Sequence, residues 1–81
     1  MTVLSLEERK LDKLCTIEGY DTIDALLSAT VIDSVSPAIC VNRDNPQCEY
    51  TCEMEPDQDR GWCEVCGTNT VKSALVLAGL I

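Results

Sequence analysis

The chain has 81 residues, six of them cysteine and none histidine, and a formal net charge of −8 from 14 acidic and 6 basic side chains. A hydrophobic share of 46% excludes a disordered tail, but so short a domain buries little surface and commonly relies on disulfides, a metal or oligomerisation. With few Lys and Arg to neutralise phosphates, non-specific binding to nucleic acid is disfavoured, and so is docking on an anionic membrane.

In chain order, residues 4–15 read as an amphipathic helix, with Leu4, Leu11, Leu14 and Cys15 at helical spacing. Glu7 and Glu8 near its start and Lys10 and Lys13 near its end suit the helix dipole, and Ser5 offers an alternative N-cap. Gly19 breaks the pattern. Asp21 then reads as the N-cap of a second helix over about 21–31, with Asp24 forming an imperfect capping box. The apolar face of that helix is Ile23, Leu26, Leu27 and Thr30 or Val31. Two helices with a short break invite a helix-turn-helix reading. The second helix, however, shows Asp21, Thr22, Asp24 and Ser28 on its polar side and no Lys or Arg, a composition that repels a duplex. Packing is therefore expected of it, not DNA reading.

From Val31 to Val41 the residues are β-prone, and Pro37 restricts them to an edge or bulged strand. Arg43-Asp44-Asn45-Pro46 signals a turn. Glu49 to Met54 alternates as a half-exposed strand does, Pro56 to Gly61 is a polar loop, and Gly61-Trp62-Cys63 enters a short third strand. Thr70 to Ile81 reads as an apolar helix capped by Asn69 or Thr70, too short to span a bilayer. Two placements suit it: the centre of the domain, between the N-terminal helices and the β unit, or a partner surface, a homo-oligomer included.

Six cysteines would allow fifteen disulfide pairings. The first ten residues lack the basic start, apolar run and small-residue cleavage site of an export signal, and Glu7 and Glu8 stand where the apolar run would be. A cytoplasmic, reducing location is thus expected, where clustered cysteines more often bind metal. Cys63-Glu64-Val65-Cys66-Gly67 has the form of a zinc knuckle: two intervening residues let both sulfurs point inward, turn amides can donate to them, and Gly67 permits a positive φ. Thioredoxin-like C-x-x-C motifs sit in a βαβ unit that this chain is too short to build. Tetrahedral zinc needs two further ligands. Cys48 and Cys52 have an inviting spacing, but Tyr50-Thr51 between them is strand-prone, and an extended strand would hold them about 13 Å apart. Cys40 and Cys48 instead bracket turn residues and face each other across a hairpin. The expected ligands of one structural Zn²⁺ are therefore Cys40, Cys48, Cys63 and Cys66, with Cys52 as rival. Cys15 and Cys52 read as small packing residues with no basic group to activate them. Four cysteines also hold rubredoxin-type iron; such sites resemble two matched knuckles, and only one is present.

The segments Ser36-Pro37-Ala38-Ile39-Cys40, Cys48-Glu49-Tyr50-Thr51, Glu55-Pro56-Asp57-Gln58, Gly61 through Thr70 and Val71 through Gly79 together resemble a group of small uncharacterised bacterial and phage proteins with a zinc-ribbon-like four-cysteine site. In that pattern the ligand positions match Cys40, Cys48, Cys63 and Cys66, and Cys52 falls where Thr is more usual. The loop between Cys40 and Cys48 is longer here. The resemblance implies the metal and brings no activity with it.

The fold expected is α+β, a single domain over 1–81: a helical part over 1–31, a zinc-ribbon-like β-hairpin unit over 32–67 and a C-terminal helix over 68–81. Catalysis is not expected. Histidine is missing, Ser34, Ser36 and Ser73 have no base partner, no Gly-rich phosphate loop is present, and four cysteine ligands leave zinc no open position. Glu53, Glu55, Asp57 and Asp59 read as a solvated acidic face. Trp62 is expected to cover the metal unit or the core, with interface recognition as its alternative. The function expected is that of a non-enzymatic zinc protein acting through protein contacts, a small regulator or adaptor. The alternatives are a nucleic-acid-associated zinc ribbon, a rubredoxin-like iron electron carrier and, more weakly, a nucleic-acid mimic.

Overall fold

The computed structural model describes residues 5–32, 35–55 and 58–79. Helix α1 spans Leu6–Ile17, and Ser5 is its N-cap, its hydroxyl accepting from the Glu8 amide. The expected start at Leu4 falls outside the described residues. The helix runs two residues past Cys15 and ends in a Schellman turn: Tyr20 N–H donates to Cys15 O, Gly19 N–H donates to Thr16 O, and Gly19 takes φ +81°. Lys10 and Lys13 therefore lie in mid-helix and do not serve its C-terminal dipole. Helix α2 spans Ile23–Ile32, so the β-prone Val31 and Ile32 close a helix. Its first turn is held by Thr22, whose hydroxyl accepts from Ala25 N–H; Asp21 lies one residue too early to do so.

Four strands follow: β1 (Ser36–Cys40), β2 (Thr51–Met54), β3 (Gly61–Cys63) and β4 (Thr68–Ser73). They form an antiparallel sheet in the order β2-β1-β4-β3. Two expectations change here. Strand β1 is interior, despite Pro37. Cys40 N–H donates toward β2, to Tyr50 O, and Val41 N–H toward β4, to Thr70 O. By alternation the missing donor of Pro37 faces the β4 side, beyond Ser73, where β4 has already ended; no ladder bond is lost.

Residues 68–73, expected to begin the C-terminal helix, are strand β4. Thr68, Thr70 and Val71 are β-branched, and Val71 and Ser73 are buried while Asn69 is exposed. Helix α3 starts only at Ala74 and spans Ala74–Leu77, with Ser73 as N-cap in place of Asn69 or Thr70. Ala78 caps it, Gly79 follows with φ +75°, and its expected end at Ile81 lies outside the described residues.

The sheet has two covered faces. On one, Ile39 and Val41 pack with Leu6, Leu11, Leu14 and Cys15 of α1, Leu26 of α2, and Ala74 and Leu77 of α3. The C-terminal helix thus takes the central of its two expected placements. On the other, Ala38, Cys40, Cys48, Met54, Cys63 and Val71 cluster, with Tyr50, Cys52 and Cys66 at the margin. The architecture is α+β. Among the described residues no helix is long and apolar enough to cross a membrane.

Trp62 departs from expectation. It sits on edge strand β3 between two inward-facing neighbours and is 58% exposed, so it covers neither the core nor the cysteines. Leu14→Ala, at a fully buried position, should cost about 2–5 kcal/mol in urea unfolding. Trp62→Ser should stay within about 0.5 kcal/mol of the parent chain. A Trp62 variant as unstable as the Leu14 variant would contradict this placement.

Candidate metal centre

The site is assembled from three parts of the chain. Cys40 ends β1 and, by the pleat, points to the face opposite Ile39 and Val41. Cys63 ends β3, and Cys66 lies in the turn to β4. Cys48 comes from the 41–50 loop. There Asp44 N–H donates to Asn42 Oδ1, Asn45 N–H to Asn42 O and Cys48 N–H to Asn45 O. These consecutive turns fold the loop back so that Cys48 faces Cys40. The expected knuckle, Cys63 to Gly67, forms as its residues require: Gly67 N–H donates to Cys63 O at 2.8 Å, Cys66 N–H donates to Cys63 Sγ at 3.3 Å, and Gly67 has φ +67°.

The sulfurs of Cys40, Cys48, Cys63 and Cys66 all lie within 4.8 Å of one another. Cys40 and Cys66 sulfurs are 3.8 Å apart, and those of Cys48 and Cys63 are 3.7 Å apart. A tetrahedron with metal–sulfur bonds of about 2.3 Å has edges of about 3.8 Å, the bond length multiplied by roughly 1.63. The Cys40–Cys66 and Cys48–Cys63 separations match such edges, and the four thiols together lie close enough to hold a metal ion. Cys40, Cys48 and Cys63 are buried and Cys66 is half-buried, so such an ion would be enclosed on the sheet side and reached from the knuckle.

Several polar groups aim at the sulfurs. Asn45 Nδ2 donates to Cys66 Sγ at 3.6 Å, and the Thr70 hydroxyl is 3.3 Å from Cys40 Sγ. The Thr68 hydroxyl lies 2.9 Å from that of Thr70 and hydrogen-bonds with it. Thr70 escaped the sequence reading because it was placed on a helix; the alternation of Thr68 and Thr70 was the available signal. The thiols respond unequally to this setting. Burial pushes Cys40 up to about 12, with Cys63 and Cys48 adding to the shift and Thr70 opposing it. Burial likewise raises Cys48. Cys66 is held down to about 7, chiefly by a hydrogen bond from Asn42, with Asn45 adding to it. One thiol is therefore ready to ligate near neutral pH, while two buried ones must lose protons to a cation.

The remaining cysteines lie apart from the cluster. Cys52 pairs with Ala38 across β1 and β2, half-buried at its margin, and is not one of the four. Burial raises its pKa, with negative charge at Cys63 and Glu64 adding to the effect. Cys15 is in the helical core, its thiol donating to Tyr20 O, and burial raises it too, with Asp12 and Asp21 contributing.

Three polar links tie α1 to the ligand loop. Arg43 pairs with Glu7 at 2.6 Å, Lys13 pairs with Glu49 at 3.0 Å, and the buried Lys10 donates its ammonium to Cys48 O. Basic residues that look scattered in sequence are thereby gathered: Arg9, Lys10 and Lys13 line one cleft with Leu6, Pro46, Gln47 and Glu49. Lys10 and Lys13 are already engaged there. Of the acidic stretch, Glu53, Glu55 and Asp59 are exposed, as a solvated face requires, and Asp57 lies outside the described residues. Comparison with family models, curated proteins and solved structures finds no match to this chain.

Proposed function

We propose that the chain is a non-enzymatic zinc protein in which one Zn²⁺ is bound by Cys40, Cys48, Cys63 and Cys66 and holds together a surface for a protein partner. The observation that supports it most is the convergence of four thiols within 4.8 Å of one another, two pairs of them at a tetrahedral edge length, with hydrogen-bond donors aimed at the Cys63 and Cys66 sulfurs. Four protein ligands fill the tetrahedron and leave no position for a reacting water, which is the mark of a structural zinc and argues against catalysis. The cysteine spacing keeps the chain in the company of the small bacterial and phage zinc-ribbon-like proteins, and a reducing cytoplasm suits it. The exposed Trp62 and, on the knuckle, Val65 at 69% exposure support contact with another protein, in the manner of a small regulator or adaptor. Nucleic-acid association has little support while two of the three gathered basic groups, Lys10 and Lys13, are occupied and the net charge is −8.

Elemental analysis of protein purified without added metal tests the reading: about one zinc per chain is expected, four cysteines making one site, and no visible colour. A red iron–thiolate spectrum in place of zinc would overturn this reading in favour of a rubredoxin-like iron electron carrier. Cys40→Ser should lose the metal, whereas Cys52→Ser should keep it, because Cys52 lies outside the four. Full chelation, or Cys63→Ser, should unfold the sheet half of the chain, and an unchanged circular dichroism spectrum after complete metal removal would contradict a structural role.

The direction of the thiol shifts sets the proton balance. Cys40 and Cys48 are raised in the folded site, and in an unfolded chain a thiol keeps its ordinary value above neutrality, so either way both are protonated at pH 7 and must become thiolates on loading. Zinc uptake by the metal-free chain at pH 7 should therefore release at least two protons per ion, read with an indicator dye in weak buffer. Because protons compete for the same sulfurs, retention should fall as the pH is lowered and never rise. Uptake without proton release would exclude these thiols as ligands.

A further inference from the structure

Lys10 is the feature that zinc coordination by itself leaves unexplained. It is 4% exposed, on the buried side of α1, and its ammonium donates to Cys48 O, the carbonyl of a metal-site cysteine. Two other cations at the same contact between α1 and the ligand loop find carboxylates: Lys13 takes Glu49 and Arg43 takes Glu7. Among the described residues Lys10 has no carboxylate within ion-pair distance. One neutral carbonyl is a poor exchange for the water and counter-ions a buried cation gives up, so such charges are ordinarily paired.

We infer that Lys10 is the counter-ion of the metal centre, a positioning and charge-balancing residue that tightens metal binding and favours a divalent ion. The inference rests on the zinc reading. Four thiolates around a divalent cation carry a net charge of −2, around a trivalent one −1. The Lys10 ammonium, fixed on the backbone of Cys48, supplies positive charge to that centre from the protein interior, where screening by solvent is weakest. The dianion gains more from it than the monoanion does. The interaction also explains why α1 carries a lysine on its buried side at a position where a leucine would pack: the helix delivers both apolar cover to one face of the sheet and a cation to the ligand loop of the other.

The test separates charge from packing and from hydrogen bonding. Lys10→Arg keeps the charge, Lys10→Gln keeps a neutral donor, and Lys10→Met keeps only the apolar stem. Zinc affinity is measured for the full-length chain by competition with a chromophoric chelator, with circular dichroism of each zinc-loaded variant to establish folding. Lys10→Gln and Lys10→Met are expected to bind roughly tenfold or more weakly, the scale of outer-shell effects on metal sites, with Lys10→Arg close to the parent. Equal affinity for all four chains overturns the inference, and so does a loss as large in Lys10→Arg as in Lys10→Met. If Lys10→Met fails to fold, the Arg and Gln pair decides alone. A second readout is independent of affinity. In iron-substituted protein the reduced centre is the dianion, so Lys10→Gln should lower the reduction potential and Lys10→Arg should leave it in place; an unshifted potential in Lys10→Gln overturns the inference. Should the parent chain take up no zinc at all, the metal reading itself fails before any variant is compared.

Discussion

Four sulfurs from β1, a loop and a β3–β4 turn have to meet at one point, and most of the fold can be understood as what that meeting requires. Cys40 and Cys63 lie on strands that are not neighbours, because β4 runs between them in the sheet. Reaching across that strand is feasible because Val71, the residue opposite both Cys40 and Gly61, points to the same face and fills the floor beneath the sulfurs. The loop from Asn42 to Cys48 must then fold back over the open side, which its consecutive turns accomplish. Each of these placements depends on contacts far apart in sequence. Their combined entropic cost falls on a chain with a modest apolar core, and a metal that binds the folded arrangement contributes its binding energy to folding.

Much of the site was legible in the residues because its chemistry is local. The C-x-x-C-G turn specifies its own geometry through Gly67 and the Cys66 amide, and the turn residues between Cys40 and Cys48 imply a return of the chain. The choice of Cys40 over Cys52 followed from the reach of an extended strand expected from Glu49; β2 begins only at Thr51, so just part of the 48–52 span is strand, and Cys52 nevertheless lies outside the four grouped cysteines. What escaped was non-local. The six residues from Thr68 to Ser73 alternate as a strand, but Val71 also falls at helical spacing from the apolar run Ala74 to Ala78, and an apolar stretch has no period of its own to mark where strand gives way to helix. Strand β4 exists because β1 and β3 both offer it backbone partners, which no window of sequence shows. Pro37 misled for the same reason: its missing donor is harmless only because β4 stops short of it. Lys10 looked like a dipole-compensating charge until the loop was seen to close on it.

The two faces of the sheet divide the work of burial. One is covered by three helices, whose leucines pack on Ile39 and Val41. The other is covered by no helix among the described residues. An antiparallel sheet can leave such a face to solvent when its side chains are polar. Here they are Ala38, Cys40, Met54, Cys63 and Val71, too apolar for that and too few to form a layer. Four thiolates and a bound ion would close this face with less mass than any helix, with the 41–50 loop held by Cys48 as its lid. The two layers are not independent, because β1 contributes alternate residues to each and α1 reaches from one to the other through Glu7, Lys10 and Lys13. Loss of the ion would remove the anchor of the loop, and with it the partners those three side chains hold. A metal that sits on one side of the sheet would thereby govern the packing of a helix on the other, which makes the coordination of four cysteines a property of the whole domain.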